Sequence, residues 1–158
     1  MAVEPKALWT DADFDQMGWH DSRVHAISFD PDSPEVPGSV ALDLDYIFEW
    51  VHPLDRGGPF SFWVAPATLV FPGASDLTLT ATLDGYMTLE IDAITRRLAE
   101  GRRGGPGGFR WSIQGSFELE VTASRYQQYV RAAPRHAERQ SLTLEERGGA
   151  SFATTGHC

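Results

Sequence analysis

The middle of the chain alternates between apolar and polar positions, most clearly over residues 39–51. The apolar positions are Val40, Leu42, Leu44, Tyr46, Phe48 and Trp50. Successive side chains of an extended strand point to opposite faces of a sheet. The segment therefore predicts a long strand with one buried face and one face that carries the carboxylates of Asp43, Asp45 and Glu49.

Shorter segments with strand-like patterns and flanking turn residues occur along most of the chain. We predict strands at residues 24–29, 60–71, 77–83, 86–91, 109–113, 117–123 and 141–144. Asp84-Gly85 is a hairpin signal that would join the third of these strands to the fourth. Pro66 cannot donate to a ladder, which predicts a bulge or an edge position there. Residues 92–100 and 126–131 fit a strand or a short helix.

These elements predict a mainly β fold, an antiparallel sandwich or partly closed barrel with at most one or two short helical segments. The 158 residues fit a single β-rich domain. Residues 1–18 are expected to form an irregular lead-in. Residues 101–108 are expected to form a flexible glycine-rich loop, and residues 153–158 a tail.

The chain is acidic, with 22 Asp and Glu against 13 Lys and Arg and a formal net charge of -9. Such a surface repels nucleic-acid phosphates and anionic membranes, and attracts a basic protein partner. The single cysteine, Cys158, allows no internal disulfide. The first residues carry acids early and lack the pattern of a signal peptide, so the expected location is cytoplasmic.

The chemistry with the clearest pattern is a metal site at His20, Asp21, Asp43 and Asp45, which would hold a divalent cation. Asp43 and Asp45 lie on one strand face about 7 Å apart, a separation at which two carboxylates can share a hard cation. A mixed site results if His20 or His25 lies across from them. The alternative is that Asp43 and Asp45 form a solvated strand face and that His20 and Asp21 only close a turn.

A second candidate is a partner-binding surface at Glu49, Tyr126, Gln128, Tyr129 and Arg131. Tyr and Arg are enriched at protein interfaces. The alternative is a sheet edge with long polar side chains. The Gly148-Gly149 turn after Arg147 can bind an anion through its amides, or can fold Phe152 onto the core.

Several catalytic signatures are absent from the sequence, among them Gly-x-Ser-x-Gly, a phosphate loop, His-Glu-x-x-His and Cys-x-x-Cys. We therefore expect a non-enzymatic domain without a cofactor that binds a basic protein partner. The alternative is a metal-binding domain or metal-dependent hydrolase that uses the His/Asp cluster. A third option is a ligand-holding barrel lined by Trp50, Trp63 and Trp111.

Four sequence elements together resemble an uncharacterised bacterial family of single-domain proteins. The elements are Trp19-His20-Asp21, Leu42 to Tyr46, Val64 to Leu69, and Gln140 to Gly149. The resemblance covers most of the chain from residue 17 and implies no activity. The His-Asp element is also similar to that of some small acidic immunity-type proteins that neutralise bacterial toxins, which implies inhibition of a basic partner.

Overall fold

The computed structural model describes residues 6–100 and 106–157, which form ten strands and two short helical segments. The strands are β1 (Leu8–Thr10), β2 (Ser22–Asp30), β3 (Ser39–Val51), β4 (Ser61–Pro72), β5 (Ser75–Ala81), β6 (Leu89–Glu100), β7 (Pro106–Gly115), β8 (Phe117–Ala123), β9 (Gln127–Val130) and β10 (Arg135–Ala137). A 3-10 helix spans Asp11–Gln16 and the helix α1 spans Leu144–Arg147.

All strands belong to one antiparallel sheet that does not close on itself. Its order is β1-β9-β4-β3-β2-β6-β7-β8-β5, and β10 pairs with β4 beside β9. The mainly β, partly open architecture predicted from the sequence is confirmed. No helix in the described ranges has the length and apolar character needed to cross a bilayer.

The interior of the curved sheet is packed around Trp111, whose side chain is fully buried. Its ring lies 5.4 Å from those of Phe71 and Tyr126 and 5.6 Å from that of Phe14, measured between centroids. Such edge and tilted aromatic contacts add to the burial of apolar area. A ligand-holding barrel would need Trp50, Trp63 and Trp111 to line one interior. Trp111 instead lies in the packed core, and Trp50 lies at the surface.

The long strand β3 has the bounds that its alternation predicts. It pairs with β2 and with β4, and a β-bulge interrupts each of these pairings. In β2 the bulge lies between Val24 and Ala26 and contains His25. A bulge changes the direction of the side chain it carries, and here the imidazole reaches Asp45 on β3.

Pro66 lies within the central strand β4 without a bulge of its own. On the side away from β3, β4 pairs with β9 from Ala67 onward and with β10 up to Val64. Pro66 falls in the gap between these partners, and its carbonyl accepts a bond from the Arg131 amide at 2.9 Å. Because no strand among the described residues pairs with Pro66 on this side, the sheet loses no hydrogen bond through the missing N–H of proline.

The predicted hairpin across Asp84-Gly85 is wrong. β5 pairs with β8, whereas β6 begins at Leu89 and pairs with β2 and β7. Pairing with β8 sets Leu79 opposite the buried Leu119. β5 therefore pairs with a strand that is distant in sequence instead of with the strand that follows Asp84-Gly85. Residues 92–100 continue β6, and residues 127–130 form β9.

The chain ends also differ from the prediction. Residues 8–16 of the expected lead-in form β1 and the 3-10 helix, and β7 already begins at Pro106 within the expected glycine loop. Residues 1–5, 101–105 and 158 lie outside the described residues. Instead of a strand at 141–144, helix α1 follows Thr143, because the Thr143 hydroxyl and the Glu146 carboxylate form a capping box.

Candidate functional site

The carboxylate face of β3 is covered by the C-terminal segment rather than by water. Asp43 and Asp45 are both 0% exposed, so the expectation of a solvated strand face is wrong. The Arg147 side chain, at the end of α1, reaches both acids. Its Nη2 and Nη1 donate to Asp43 Oδ1 at 2.7 Å and Oδ2 at 2.9 Å, and its Nε donates to Asp45 Oδ1 at 3.1 Å.

Four further groups complete the hydrogen bonds of the two carboxylates. Asp43 also accepts from Arg131 Nη2 at 2.7 Å and from the Ser151 amide at 2.9 Å. Asp45 Oδ2 accepts from the Leu142 amide at 2.9 Å and lies 2.8 Å from His25 Nε2. We call Asp43, Asp45, Arg131, Arg147 and His25 the clasp, because they tie residues 142–151 to β3.

The surroundings of Asp43 and Arg147 favour the ionised form of both side chains. Burial alone raises the pKa of Asp43, but hydrogen bonds from Arg147, Arg131 and the Ser151 amide outweigh it and hold the pKa below its usual value. Burial lowers the pKa of Arg147, and bonding to Asp43 together with the charge of Asp45 raises it above its usual value. Every carboxylate oxygen of the pair already accepts a hydrogen bond, so a cation would have to displace the arginine.

The clasp positions one wall of an open surface cleft. The Leu142 amide is bound to Asp45, and two residues earlier Gln140 Nε2 donates to Asp21 Oδ2 at 2.7 Å. The cleft has a volume of about 680 Å³ and is lined by residues of β2, β3, β4, β6 and the segment 138–141. Its lining includes Asp21, Arg23, Trp50, Phe60, Glu90 and Glu138.

One side of the cleft is aromatic. Trp50 at the end of β3 and Phe60 before β4 are 38% and 39% exposed. The Trp50 ring lies 5.0 Å from the buried Phe62 ring and 5.9 Å from the Phe60 ring, both in edge-to-face orientation. This packing holds the Trp50 ring in place while leaving part of its surface open to the cleft.

The polar side of the cleft carries more acid than base. Three carboxylates line it, those of Asp21, Glu90 and Glu138, with two guanidiniums, those of Arg23 and Arg139. Arg139 Nη2 is already bound at 3.0 Å to Glu146, and Arg23 Nη2 lies 3.8 Å from Glu90. Each of the two arginines lies close to a carboxylate. The lining of the cleft therefore has a net negative charge, which favours a cationic ligand.

His20, Asp21 and Asp92 form a cluster at the edge of this cleft. One ligand atom from each lies within 4.8 Å of the others, and His20 Nδ1 is 3.2 Å from Asp21 Oδ2. His20 and Asp92 are exposed, and Asp21 is half-buried in a left-handed conformation with φ of 62°. The four residues predicted as a metal set therefore divide: His20 and Asp21 meet Asp92, while Asp43 and Asp45 meet Arg147.

The residues predicted as a partner surface also separate. The Tyr126 hydroxyl is buried and donates to the Thr10 carbonyl at 2.8 Å, and Gln128 accepts from Trp19 Nε1 at 2.8 Å in the interior. Burial raises the pKa of Tyr126. Arg131 belongs to the clasp. Tyr129 and Glu49 are half-buried on β9 and β3, so the five do not form one exposed patch.

Sequence reasoning missed Arg147, Asp92 and Gln140 as site residues. For Arg147 a local signal existed, since Thr143-x-x-Glu146 followed by Gly148 is the pattern of a short capped helix. Asp92 and Gln140 carry no local signal, because only the sheet order and the fold of the C-terminal segment bring them to Asp21.

No protein-family model, no curated protein and no solved structure matches the chain. The resemblances described from the sequence therefore stay predictions.

Proposed function

We propose that this protein is a binding domain whose cleft receives an arginine- or lysine-bearing segment of a basic protein partner. The observation that supports this most directly is the meeting of an exposed tryptophan and three carboxylates in one cleft. An aromatic face attracts a cationic side chain through its quadrupole, and the carboxylates bind its N–H groups.

Trp50 is suited to this role because its neighbours hold it rigidly. Its contacts with Phe60 and Phe62 fix the ring before a ligand arrives, so little side-chain entropy is lost on binding. Exposed, well-held tryptophans are frequent among residues that dominate interface energies. The Asp21 carboxylate is also fixed before a ligand arrives, by its hydrogen bond from Gln140 Nε2.

The charge of the whole chain supports the same class of partner. A formal charge of -9 produces a field that accelerates the approach of a basic protein. An inhibitor of a basic toxin, the function implied by the immunity-type resemblance, needs such a surface.

The proposal is tested by calorimetric titration of a tetra-arginine peptide into the protein, with tetra-glutamate as the matched ligand control. We expect tetra-arginine to bind and its affinity to fall as salt is added. Trp50→Ala should weaken it by roughly three- to thirtyfold, the range for a cation–π contact. Trp63→Ala, a tryptophan on β4 outside the cleft, should leave the affinity unchanged.

Two results would contradict the proposal. One is the absence of binding by tetra-arginine. The other is equal weakening by Trp50→Ala and Trp63→Ala, which would show that the peptide binds the general acidic surface. A pull-down from the source cell with wild type and Trp50→Ala then identifies the partner, as a protein retained by the first and lost with the second.

The His20–Asp21–Asp92 cluster favours a second candidate, a divalent metal site. One imidazole and one carboxylate from the turn before β2, with a second carboxylate from β6, suit Zn²⁺ or Mn²⁺ and leave coordination positions open. Calorimetry with each metal should give binding that Asp92→Asn removes and the loop variant Asp84→Asn retains. No heat with either metal would exclude this candidate, and tetra-arginine binding in the presence of EDTA separates it from the first.

A further inference from the structure

The His20–Asp21–Asp92 cluster and the cleft share one carboxylate. Asp21 lines the cleft and also belongs to the cluster. The His20 ring lies 6.1 Å from the Trp50 ring, measured between centroids. A cation held by the cluster would therefore occupy the edge of the surface that the cleft offers to its ligand.

The backbone around Asp21 brings it next to β6. Asp21 has a left-handed conformation, which Asp tolerates better than most residues. Its amide donates to the Ile91 carbonyl at 2.8 Å. The turn that carries His20 and Asp21 is thereby fixed beside the part of β6 that contains Asp92.

Asp92 itself lies in a β-bulge of β6. Ile91 and Ala93 pair with consecutive residues of β7, so Asp92 between them has no ladder partner in that strand. A bulge changes the direction of the side chain it carries, and here one carboxylate oxygen comes within 4.8 Å of the ligand atoms of the turn. Gly115 permits the close approach of β7 at this point, since a Cβ on it would clash with the Glu90 carbonyl oxygen.

A divalent cation at this cluster would cancel the negative charge of the cleft. Three carboxylates and two guanidiniums line the cleft, which leaves one negative charge in excess. Two added positive charges turn this excess into one positive charge. With Asp92 counted as well, two excess negative charges are reduced to none. In both counts the attraction between the cleft and an arginine-bearing ligand is lost.

We propose that a divalent cation of the Zn²⁺ or Mn²⁺ type controls the cleft. When the cation binds His20, Asp21 and Asp92, the cleft releases its arginine- or lysine-bearing ligand. This inference rests on the function proposed above and adds the regulation of the same site. Because the two binding events are linked, the ligand weakens cation binding by the same factor as the cation weakens ligand binding.

Calorimetric titration of tetra-arginine, with and without saturating Zn²⁺ or Mn²⁺ at an ionic strength held constant with NaCl, tests this control. For wild type we expect at least one of the ions to weaken binding by roughly 5- to 150-fold, the usual range of coupling between two sites. Asp92→Asn should abolish the effect of the ion, because Asp92 holds the cation but does not line the cleft. Asp84→Asn, the same change in the loop between β5 and β6, should retain the full effect.

The reverse titration, of the effective ion into the protein with and without tetra-arginine, should show the same factor. Tetra-arginine binding that neither ion changes would overturn the control and leave the function of the cleft standing. An equal effect of the ion on wild type and Asp92→Asn would show that the cation acts at another place, which also overturns it. Absence of tetra-arginine binding without any metal would contradict the function of the cleft together with its regulation.

Discussion

The carboxylates of the clasp and those of the cleft are the same chemical group in opposite settings. Asp43 and Asp45 are fully buried; Asp43 is bound by Arg147 and Arg131, and Asp45 by Arg147 and the Leu142 amide. Asp21 and Asp92 reach solvent at the edge of an open cleft. A buried carboxylate is stable only when it is paired, because removing it from water is costly. The clasp acids therefore hold the fold, and the cleft acids are available to a ligand.

The largest effect is expected when the clasp loses its arginine. Arg147→Ala leaves two carboxylates buried without their main partner, which should lower the free energy of unfolding by about 3–5 kcal/mol. Urea unfolding measures it. The control is Arg97→Ala, whose side chain is 68% exposed and 3.9 Å from Glu120, where a loss of under about 1 kcal/mol is expected. Equal losses for the two variants would show that the clasp contributes no more to stability than an exposed ion pair does.

Acid should weaken the clasp next. The pKa of Asp43 is lower in the folded chain than the ordinary value near 3.8. The unfolded state therefore binds the proton more readily, and the stabilisation is complete above about pH 4 and is lost as the pH falls through the folded value. We expect unfolding free energies that fall steeply below pH 4 in wild type and less steeply in Asp43→Asn. Identical slopes would contradict this assignment.

Loss of the cap of α1 should have a smaller effect. The Thr143 hydroxyl accepts from the Glu146 amide at 3.1 Å and orders the single turn that carries Arg147. Thr143→Ala should cost about 1 kcal/mol in thermal or urea unfolding. Thr80→Ala, on the edge strand β5, is the matched control and should cost less. A neutral Thr143→Ala would mean that Arg147 is held by the clasp alone.

The smallest effect on stability is expected at the cleft. Asp21→Asn keeps an oxygen for Gln140 Nε2, and Asn tolerates the left-handed backbone found there. Unfolding free energy should change by less than about 0.5 kcal/mol, while tetra-arginine affinity falls. Destabilisation comparable to that of Arg147→Ala would show that Asp21 serves the fold, as the clasp acids do.

Local patterns predicted local structure well. Residues 39–51 alternate between apolar and polar positions, and β3 has those bounds because every one of its residues except Phe48 pairs with a residue of β4. The strands predicted at 109–113 and 117–123 likewise lie within β7 and β8, which pair with each other. The Asp84-Gly85 signal failed because a turn sequence favours a bend but does not choose the partner strand.

The roles of the acids could not be predicted from the strand. Alternation assigns Asp43 and Asp45 to one face, but what covers that face depends on a residue 104 positions later. The sequence does contain the capped turn that presents Arg147. The way in which that turn packs on β3 cannot be deduced from local sequence. This packing decides whether Asp43 and Asp45 face solvent or form a buried ion pair.

The most direct test of the central claim is a titration of tetra-arginine followed by amide and indole NMR shifts of the labelled protein. The account predicts that the largest changes in chemical shift occur at Asp21, Trp50 and residues 138–141. The amide resonances of Asp43, Asp45 and Ser151 should not shift. Shifts spread evenly over the acidic surface, or centred on the clasp, would contradict it.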